Sequence, residues 1–100
     1  MDIPPPKTND EAKAKIMIIL AEGEVRISKH CRLDSMTARD VSNADIREAL
    51  ENGMVVGSEW KPNFNNWAYR VEGFDLIGDS LTCMTVIFDI NLSLLVITVF

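Results

Sequence analysis

The stretch SLTCMTVIFDINLSLLVITVF, residues 80–100, decides the fold of this chain. It contains two apolar runs, SLTCMTVIFD and LSLLVITVF, which are joined through DINL. Near-continuous apolar runs of this length are typical of strands that are covered on both faces. They predict two central strands of one sheet.

Two further strands are predicted on the N-terminal side of these runs, MVVGSEW at residues 54–60 and NWAYRVEGF at residues 66–74. The segment between them, KPNFNN, has the composition of a turn. Because successive side chains of a strand point to opposite faces, Tyr69 and Arg70 are expected on opposite sides of the sheet. A fifth, shorter strand is predicted at EVRIS, residues 24–28, where Val25 and Ile27 alternate with polar residues.

Two amphipathic helices are predicted, one before EVRIS and one after it. Each begins with a capping box, in which a hydroxyl residue is followed three positions later by an acid, and each ends at a glycine. The caps are Thr8 with Glu11 and Ser42 with Asp45, the closing glycines are Gly23 and Gly53, and the apolar stripes are Ala12, Ile16, Ile19 and Leu20, and Ile46, Ala49 and Leu50.

The chain is predicted to form one α+β domain over residues 8–100, preceded by a flexible proline-rich tail at residues 1–7. Its hydrophobic content of 47% and charged content of 25% are ordinary for a folded domain. The order of elements predicts helix, strand and helix, followed by a four-stranded, largely antiparallel sheet with the helices packed on it.

Charge and composition exclude several classes of protein. A net charge of −5 argues against a nucleic-acid-binding surface over the whole molecule, so any phosphate site must be local. Two cysteines with one histidine are too few ligands for a structural zinc site, and no metal or cofactor is predicted. The N-terminus lacks the order of a signal peptide, and polar residues break the C-terminal apolar run. A cytoplasmic protein without membrane contact is expected.

One local basic cluster stands out, RISKHCR at residues 26–32, and it contains the only histidine, His30. If the strand alternation continues to residue 30, Arg26, Ser28 and His30 lie together on one polar face. Histidine transfers protons near neutral pH, and arginine matches the geometry of a phosphate.

The sequence resembles a family of short bacterial proteins known as a domain of unknown function, over roughly residues 14–100. The matching pieces are His30, Met36 with Arg39, Val41-Ser42 with Asp45-Ile46, Gly53 and the closing Thr98-Val99-Phe100. Ser35 stands where that family has an arginine. The family is similar to the RelE/ParE-like toxins and is often encoded beside zinc-finger antitoxins of the YgiT/MqsA type. The resemblance therefore implies a RelE-like fold and a toxin that cleaves messenger RNA and binds a cognate antitoxin.

Metal-independent RNA cleavage needs a base for the 2′-hydroxyl proton and cations for the phosphate. The expected catalytic residues are His30, Arg39 and Arg70, with Tyr69 in reserve, and the expected phosphate contacts are Arg26, Lys29 and Arg32. Trp60, Trp67 and Phe64 are candidates for stacking on an unpaired base.

Two other interpretations remain open. The chain could be a non-catalytic module that binds a partner protein through the basic cluster, as the acidic composition and the absence of a second histidine favour. It could also form homo-oligomers through an unpaired sheet edge. Single residues also have purely structural interpretations. His30 could serve only as a hydrogen-bonding residue, the tryptophans could pack in the core, and Arg39 could pair with Asp34 or Asp40 on the surface.

Overall fold

The two apolar runs form neighbouring strands inside a five-stranded sheet. The computed structural model describes residues 2–100. In chain order the elements are α1 (Asn9–Glu22), β1 (Glu24–Ile27), a π-helical turn (Cys31–Ser35), α2 (Met36–Arg39), α3 (Asn43–Asn52), β2 (Met54–Lys61), a 3-10 turn (Pro62–Phe64), β3 (Asn66–Phe74), β4 (Ser80–Phe88) and β5 (Ser93–Val99). The strands are ordered β1-β5-β4-β3-β2, so β4 is the middle strand.

The α+β class is confirmed, but the sheet differs from the predicted one. The four predicted strands of the second half form and pair antiparallel with their sequence neighbours. The segment EVRI adds a fifth strand, which pairs in parallel with β5 from Glu24 opposite Ser93 to Ile27 opposite Val96. The sheet is therefore mixed and has five strands. A four-residue strand whose partner lies at the other end of the chain leaves no local signal of its pairing.

Helices α1 and α3 cover one face of the sheet, and their predicted apolar stripes are buried there. Both predicted capping boxes are present, Thr8 with Glu11 and Ser42 with Asp45. The core joins the helix stripes to the inward residues of the sheet, among them Val71, Leu81, Cys83, Ile87, Leu94 and Val96. We call this side of the sheet the helix-covered face.

Helices α1 and α3 stabilise each other at their C-terminal ends. Lys13 of α1 donates through Nζ to the carbonyls of Leu50 (2.8 Å) and Glu51 (2.7 Å) in α3. Arg47 of α3 donates through Nη2 to the carbonyl of Leu20 in α1 at 2.6 Å. Neither helix has a basic residue in its own last turn. The carbonyls and the dipole at the C-terminal end of a helix favour a nearby cation. Helix α3 receives this cation from α1, as Lys13, and helix α1 receives it from α3, as Arg47.

The proline-rich segment, predicted as a flexible tail, contacts the domain. The indole Nε1 of Trp67 donates to the carbonyl of Pro4 at 2.8 Å, and the Lys7 N–H donates to the hydroxyl of Tyr69 at 2.9 Å. The ammonium of Lys7 also lies 3.0 Å from a carboxylate oxygen of Asp89. The segment therefore lies against the residues that begin β3.

Gly73 of β3 is the point of closest approach between α3 and the sheet. A Cβ at this position would lie 2.8 Å from the carbonyl oxygen and 3.0 Å from the Cα of Ala49. We therefore expect Gly73→Ala to lower the free energy of unfolding by about 1–3 kcal/mol, since backbone must move to admit the methyl group. Urea denaturation measures the change. Gly57→Ala is the matched control, because among residues 2–100 only Gly57 itself and its two chain neighbours have atoms close to the added Cβ. Equal losses in the two variants would contradict this account.

Asp45 should make stability depend on pH. Hydrogen bonds from the N–H groups of Ser42 and Leu76 and from the Ser42 hydroxyl hold the pKa of Asp45 below its ordinary value of 3.8. A carboxylate with a lowered folded-state pKa stabilises at neutral pH, and this contribution disappears as pH falls through that pKa. Asp45→Asn should lower the Tm at pH 7, with the difference shrinking below about pH 4. Asp10→Asn in α1 is the control, and a difference that persists unchanged at pH 3 would contradict the assignment.

Candidate functional site on the open face of the sheet

The sheet face opposite α1 and α3 has its own small apolar cluster, and we call this side the open face. Ala68 and Val86 are fully buried there and Met84 nearly so. Phe64, Phe88 and Ile97 pack against these three residues. Phe64 belongs to the turn after β2, so this turn folds back over the sheet. The open face therefore has an apolar centre.

Arg26 and Arg70 lie on the open face on either side of that centre. The guanidinium of Arg26 lies 5.9 Å from the ring centroid of Phe88, and that of Arg70 lies 5.1 Å from the ring centroid of Phe100. Stacking on an aromatic ring in this way restrains a guanidinium and keeps it exposed. Alternation along β3 places Arg70 on the open face, as expected, and Tyr69 on the other side.

His30 reaches the open face by a different route from the predicted one. Strand β1 ends at Ile27, and the hydroxyl of Ser28 accepts the N–H of Cys31 at 3.1 Å, so the chain becomes helical at residue 29. The shared polar face of Arg26, Ser28 and His30 required the strand to continue to residue 30, and this condition is not met. His30 instead lines a shallow depression of about 300 Å³, together with Ser28, Lys61, Asn63, Phe64 and Ile97.

Asp34 holds the imidazole of His30 one helical turn away. The Nδ1 atom of His30 and a carboxylate oxygen of Asp34 are 2.8 Å apart, and both side chains are about two-thirds exposed, at 70% and 67%. A carboxylate only accepts, so Nδ1 carries the proton in this contact and Nε2 is the nitrogen that a substrate would meet. An exposed pair of this kind stabilises the fold little, and its main effect is to orient the ring.

Of the four predicted catalytic residues, only His30 lines this depression. Arg70 lies elsewhere on the open face, in a separate depression beside Met84. Tyr69 is 3% exposed on the helix-covered face, and its hydroxyl accepts the Lys7 N–H. Arg39 follows His30 by nine residues of helical chain, roughly 13 Å along the axis, and donates to the carbonyl of Ser80 at 2.6 Å. Neither side chain is placed to act on a substrate held by His30.

The basic cluster of the sequence is dispersed in three dimensions. Arg26 belongs to β1, whereas Lys29 and Arg32 are exposed on the helical segment that carries His30. Residues one and two positions apart on a helix do not share a face. Lys29 and Arg32 are therefore close to His30 along the chain, but neither side chain points in the same direction as the imidazole.

The tryptophans are also placed elsewhere. Trp67 packs against the main core, and Trp60 lies edge-on to it, with ring centroids 5.5 Å apart at an angle of 74°. Of the three aromatic residues predicted to stack on a base, only Phe64 lies beside His30. The sequence interpretation missed Lys61, Asn63 and Asp34. The spacing of His30 and Asp34 is a signal for a pair only once the segment is known to be helical.

Neither cysteine adds a nucleophile to the site. Both are fully buried in the main core. Burial raises the pKa of the Cys31 thiol, and burial together with the neighbouring Cys31 raises the pKa of Cys83 to about 12. Thiols in such surroundings are protonated at neutral pH and inert. Within residues 2–100, no three potential metal-ligating side chains cluster together.

Comparisons with known protein families, with curated proteins and with solved structures found no match to this chain. None of the helices within residues 2–100 combines the length and the apolar character needed to cross a bilayer.

Phe64 should be needed to keep the open-face cluster covered. Phe64→Ala exposes Ala68, Met84 and Val86 to water, and we expect the free energy of unfolding to fall by about 1–3 kcal/mol, less than for a fully buried phenylalanine. Phe74→Ala is the control, because Phe74 is 61% exposed on the neighbouring part of β3. Guanidinium denaturation and binding of an apolar dye measure the two effects. A Phe64→Ala protein as stable as the control would show that the turn is not packed on the sheet.

Proposed function

We propose that this protein is a metal-independent endoribonuclease that acts on messenger RNA, the toxin component of a type II toxin–antitoxin pair with a RelE-like fold. One observation carries the proposal. The exposed ring of His30 is oriented by Asp34 at 2.8 Å beside a depression that also presents a cation, an amide and an aromatic ring, from Lys61, Asn63 and Phe64. These are the groups that binding and cleaving a single-stranded RNA require.

The chemistry assigns one task to each group. Nε2 of His30 takes the proton of a ribose 2′-hydroxyl, and the 2′-oxygen attacks the adjacent phosphorus. The bond from phosphorus to the 5′-oxygen of the next nucleotide breaks, and that oxygen takes a proton from water. The hydroxide left by this water takes the proton from the His30 imidazolium, which restores the neutral base. The products are a 2′,3′-cyclic phosphate and a 5′-hydroxyl. Asp34 stabilises the imidazolium that forms, because its carboxylate accepts the Nδ1 proton.

Binding groups surround this step. The ammonium of Lys61 compensates the charge that builds on the phosphate, and the amide of Asn63 hydrogen-bonds a base edge or a ribose hydroxyl. Phe64 offers a ring face for a base, and Arg26 and Arg70 offer phosphate contacts farther along the open face. In this assignment Lys61 takes the position at the reacting phosphate that the sequence had suggested for Arg39.

A second candidate function is binding of a partner protein without catalysis, and the charge pattern of the open face favours it. Each strand cation on this face has an acid two residues away, namely Arg26 with Glu24 (3.7 Å), Lys61 with Glu59 (3.4 Å) and Arg70 with Glu72 (3.2 Å). These pairs surround the apolar cluster of Ala68, Met84 and Val86. An apolar centre with a polar rim is the usual composition of a protein interface.

Expression of the chain alone in a bacterial host tests the proposed function. Wild-type protein should arrest growth and deplete messenger RNA, and His30→Gln should abolish both effects while the protein stays folded. With purified protein, His30→Gln should slow cleavage of a single-stranded RNA by about 10²–10⁴-fold, the usual contribution of a general base. Asp34→Asn should act in the same direction but less strongly.

Two controls make the result specific. Glu22→Gln, at the exposed end of α1 on the far side of the sheet, should leave arrest and cleavage unchanged. An RNA with a single 2′-deoxy nucleotide should resist cleavage at that position, because the attacking oxygen is missing. Folded wild-type protein that neither arrests growth nor cuts RNA would overturn the nuclease proposal and leave partner binding as the function. A cognate antitoxin, of the zinc-finger type or another, would then be the first partner to test.

A further inference from the structure

The N-terminal segment occupies an aromatic site on the opposite side of the protein from His30. Ile3, Pro4 and Pro5 each precede a proline, which restricts them to extended or polyproline II conformations. Thr8 continues this conformation at φ −63° and ψ 163°, directly before α1. The segment is therefore held extended by its own sequence, and ordering it on a surface costs little conformational entropy.

The hydrogen bonds of this segment come from aromatic side chains. The indole N–H of Trp67 donates to the carbonyl of Pro4 at 2.8 Å. The hydroxyl of the buried Tyr69 accepts the N–H of Lys7 at 2.9 Å. Trp60 packs edge-on against Trp67, with a centroid distance of 5.5 Å, and so fixes the plane of the indole. Aromatic side chains that hydrogen-bond an extended proline-rich backbone are the general means of polyproline II recognition.

The carboxylate of Asp89 contacts the residue that follows the prolines, Lys7. One carboxylate oxygen of Asp89 lies 3.0 Å from Nζ of Lys7, and its other oxygen lies 3.6 Å from Nζ of Lys15. Lys15 belongs to α1 and stays in place when the segment leaves. Asp89 therefore favours a basic residue directly after the prolines, and Lys15 keeps the empty site from being strongly acidic.

We propose that Trp67, Tyr69 and Asp89 form a binding site for a polyproline II segment that ends in a basic residue. The chain's own residues 4–7 occupy this site, and a proline-rich segment of a partner protein binds there by displacing them. The seated segment itself shows which ligand fits: three prolines and a lysine, bound by one indole N–H, one phenol oxygen and one carboxylate. This proposal does not depend on the proposed nuclease function.

The contacts of the segment are weak enough for exchange. Pro4 and Pro5 are exposed, and the ion pair of Lys7 is with a half-exposed Asp89, which is 51% accessible. The internal segment nonetheless competes at the high effective concentration of a tethered ligand, on the order of millimolar. A partner segment consequently binds the native chain only weakly, and weakening the internal segment should strengthen its binding.

A peptide titration of the full-length chain tests this. The probe is the acetylated and amidated heptapeptide DIPPPKT, which has the sequence of residues 2–8 and contains no tryptophan. The opened variant carries Pro4→Gly, Pro5→Gly and Pro6→Gly, which keeps the chain length but removes the preformed conformation. Tryptophan fluorescence should report binding to the opened variant at least about tenfold tighter than binding to the native chain. Adding Trp67→Phe to the opened variant should weaken binding by about tenfold, the loss of one good hydrogen bond.

A control peptide and a second measurement test the proposal further. A DIAAAKT peptide should bind the opened variant much more weakly, and equal binding of the two peptides would overturn the proposal. The proposal would also be overturned if DIPPPKT at millimolar concentration did not bind the opened variant. If the opened variant does not fold, NMR of the native chain with excess DIPPPKT should shift the Trp67 indole N–H signal more than that of Trp60, and equal or absent shifts would overturn the proposal. A native dimer that DIPPPKT dissociates would assign the site to a second copy and overturn the assignment to a partner protein.

Discussion

The pairing of β5 on both of its edges is the constraint on which the rest of this structure depends. A strand with so many buried residues must satisfy its backbone hydrogen bonds within the sheet, since water cannot reach them. One edge is filled antiparallel by β4 and the other in parallel by β1. Because β1 is only four residues long, the helical segment that follows it lies beside the last residues of β5, where Ser35 and Thr98 hydrogen-bond through their hydroxyls at 2.9 Å. That arrangement brings His30 to the margin of the open face.

The two faces of the sheet then acquire different character. On one face, α1 and α3 bury the main core and complete each other's C-terminal ends through Lys13 and Arg47. On the other, an apolar cluster is covered by the turn that carries Phe64, and the strand cations around it each lie beside an acid. The net charge of −5 therefore says little about the open face, where charges of both signs alternate over distances shorter than a Debye length.

Local patterns in the sequence were sufficient for most of the fold and insufficient for the candidate site. Capping boxes, closing glycines and apolar stripes depend on residues within one or two turns, and both main helices follow them. The strand at EVRIS was predicted from its alternation, but its parallel pairing with β5 has no local signature, so its place in the sheet could not be predicted. The position of His30 could not be predicted for a related reason. The change from strand to helix after Ile27 depends on the hydroxyl of Ser28, which accepts the N–H of Cys31 and donates to the carbonyl of Ile97, far along the chain. Strand alternation therefore put Tyr69 and Arg70 on opposite faces of the sheet, as the structure does, but it did not place His30 or find Lys61.

The parallel pairing of β1 with β5 also affects how the domain folds. Val25 pairs with Leu94 and Pro4 is bonded by Trp67, so residues at the start of the domain make their contacts with residues far along the chain. Until β5 has joined the sheet, β4 has one open edge and the inward side chains of β1 have no sheet to pack on. A topology with so many contacts between distant parts of the chain folds slowly. Until β5 is in place, the unpaired edge of the apolar strand β4 is a site that a chaperone or a neighbouring chain can bind.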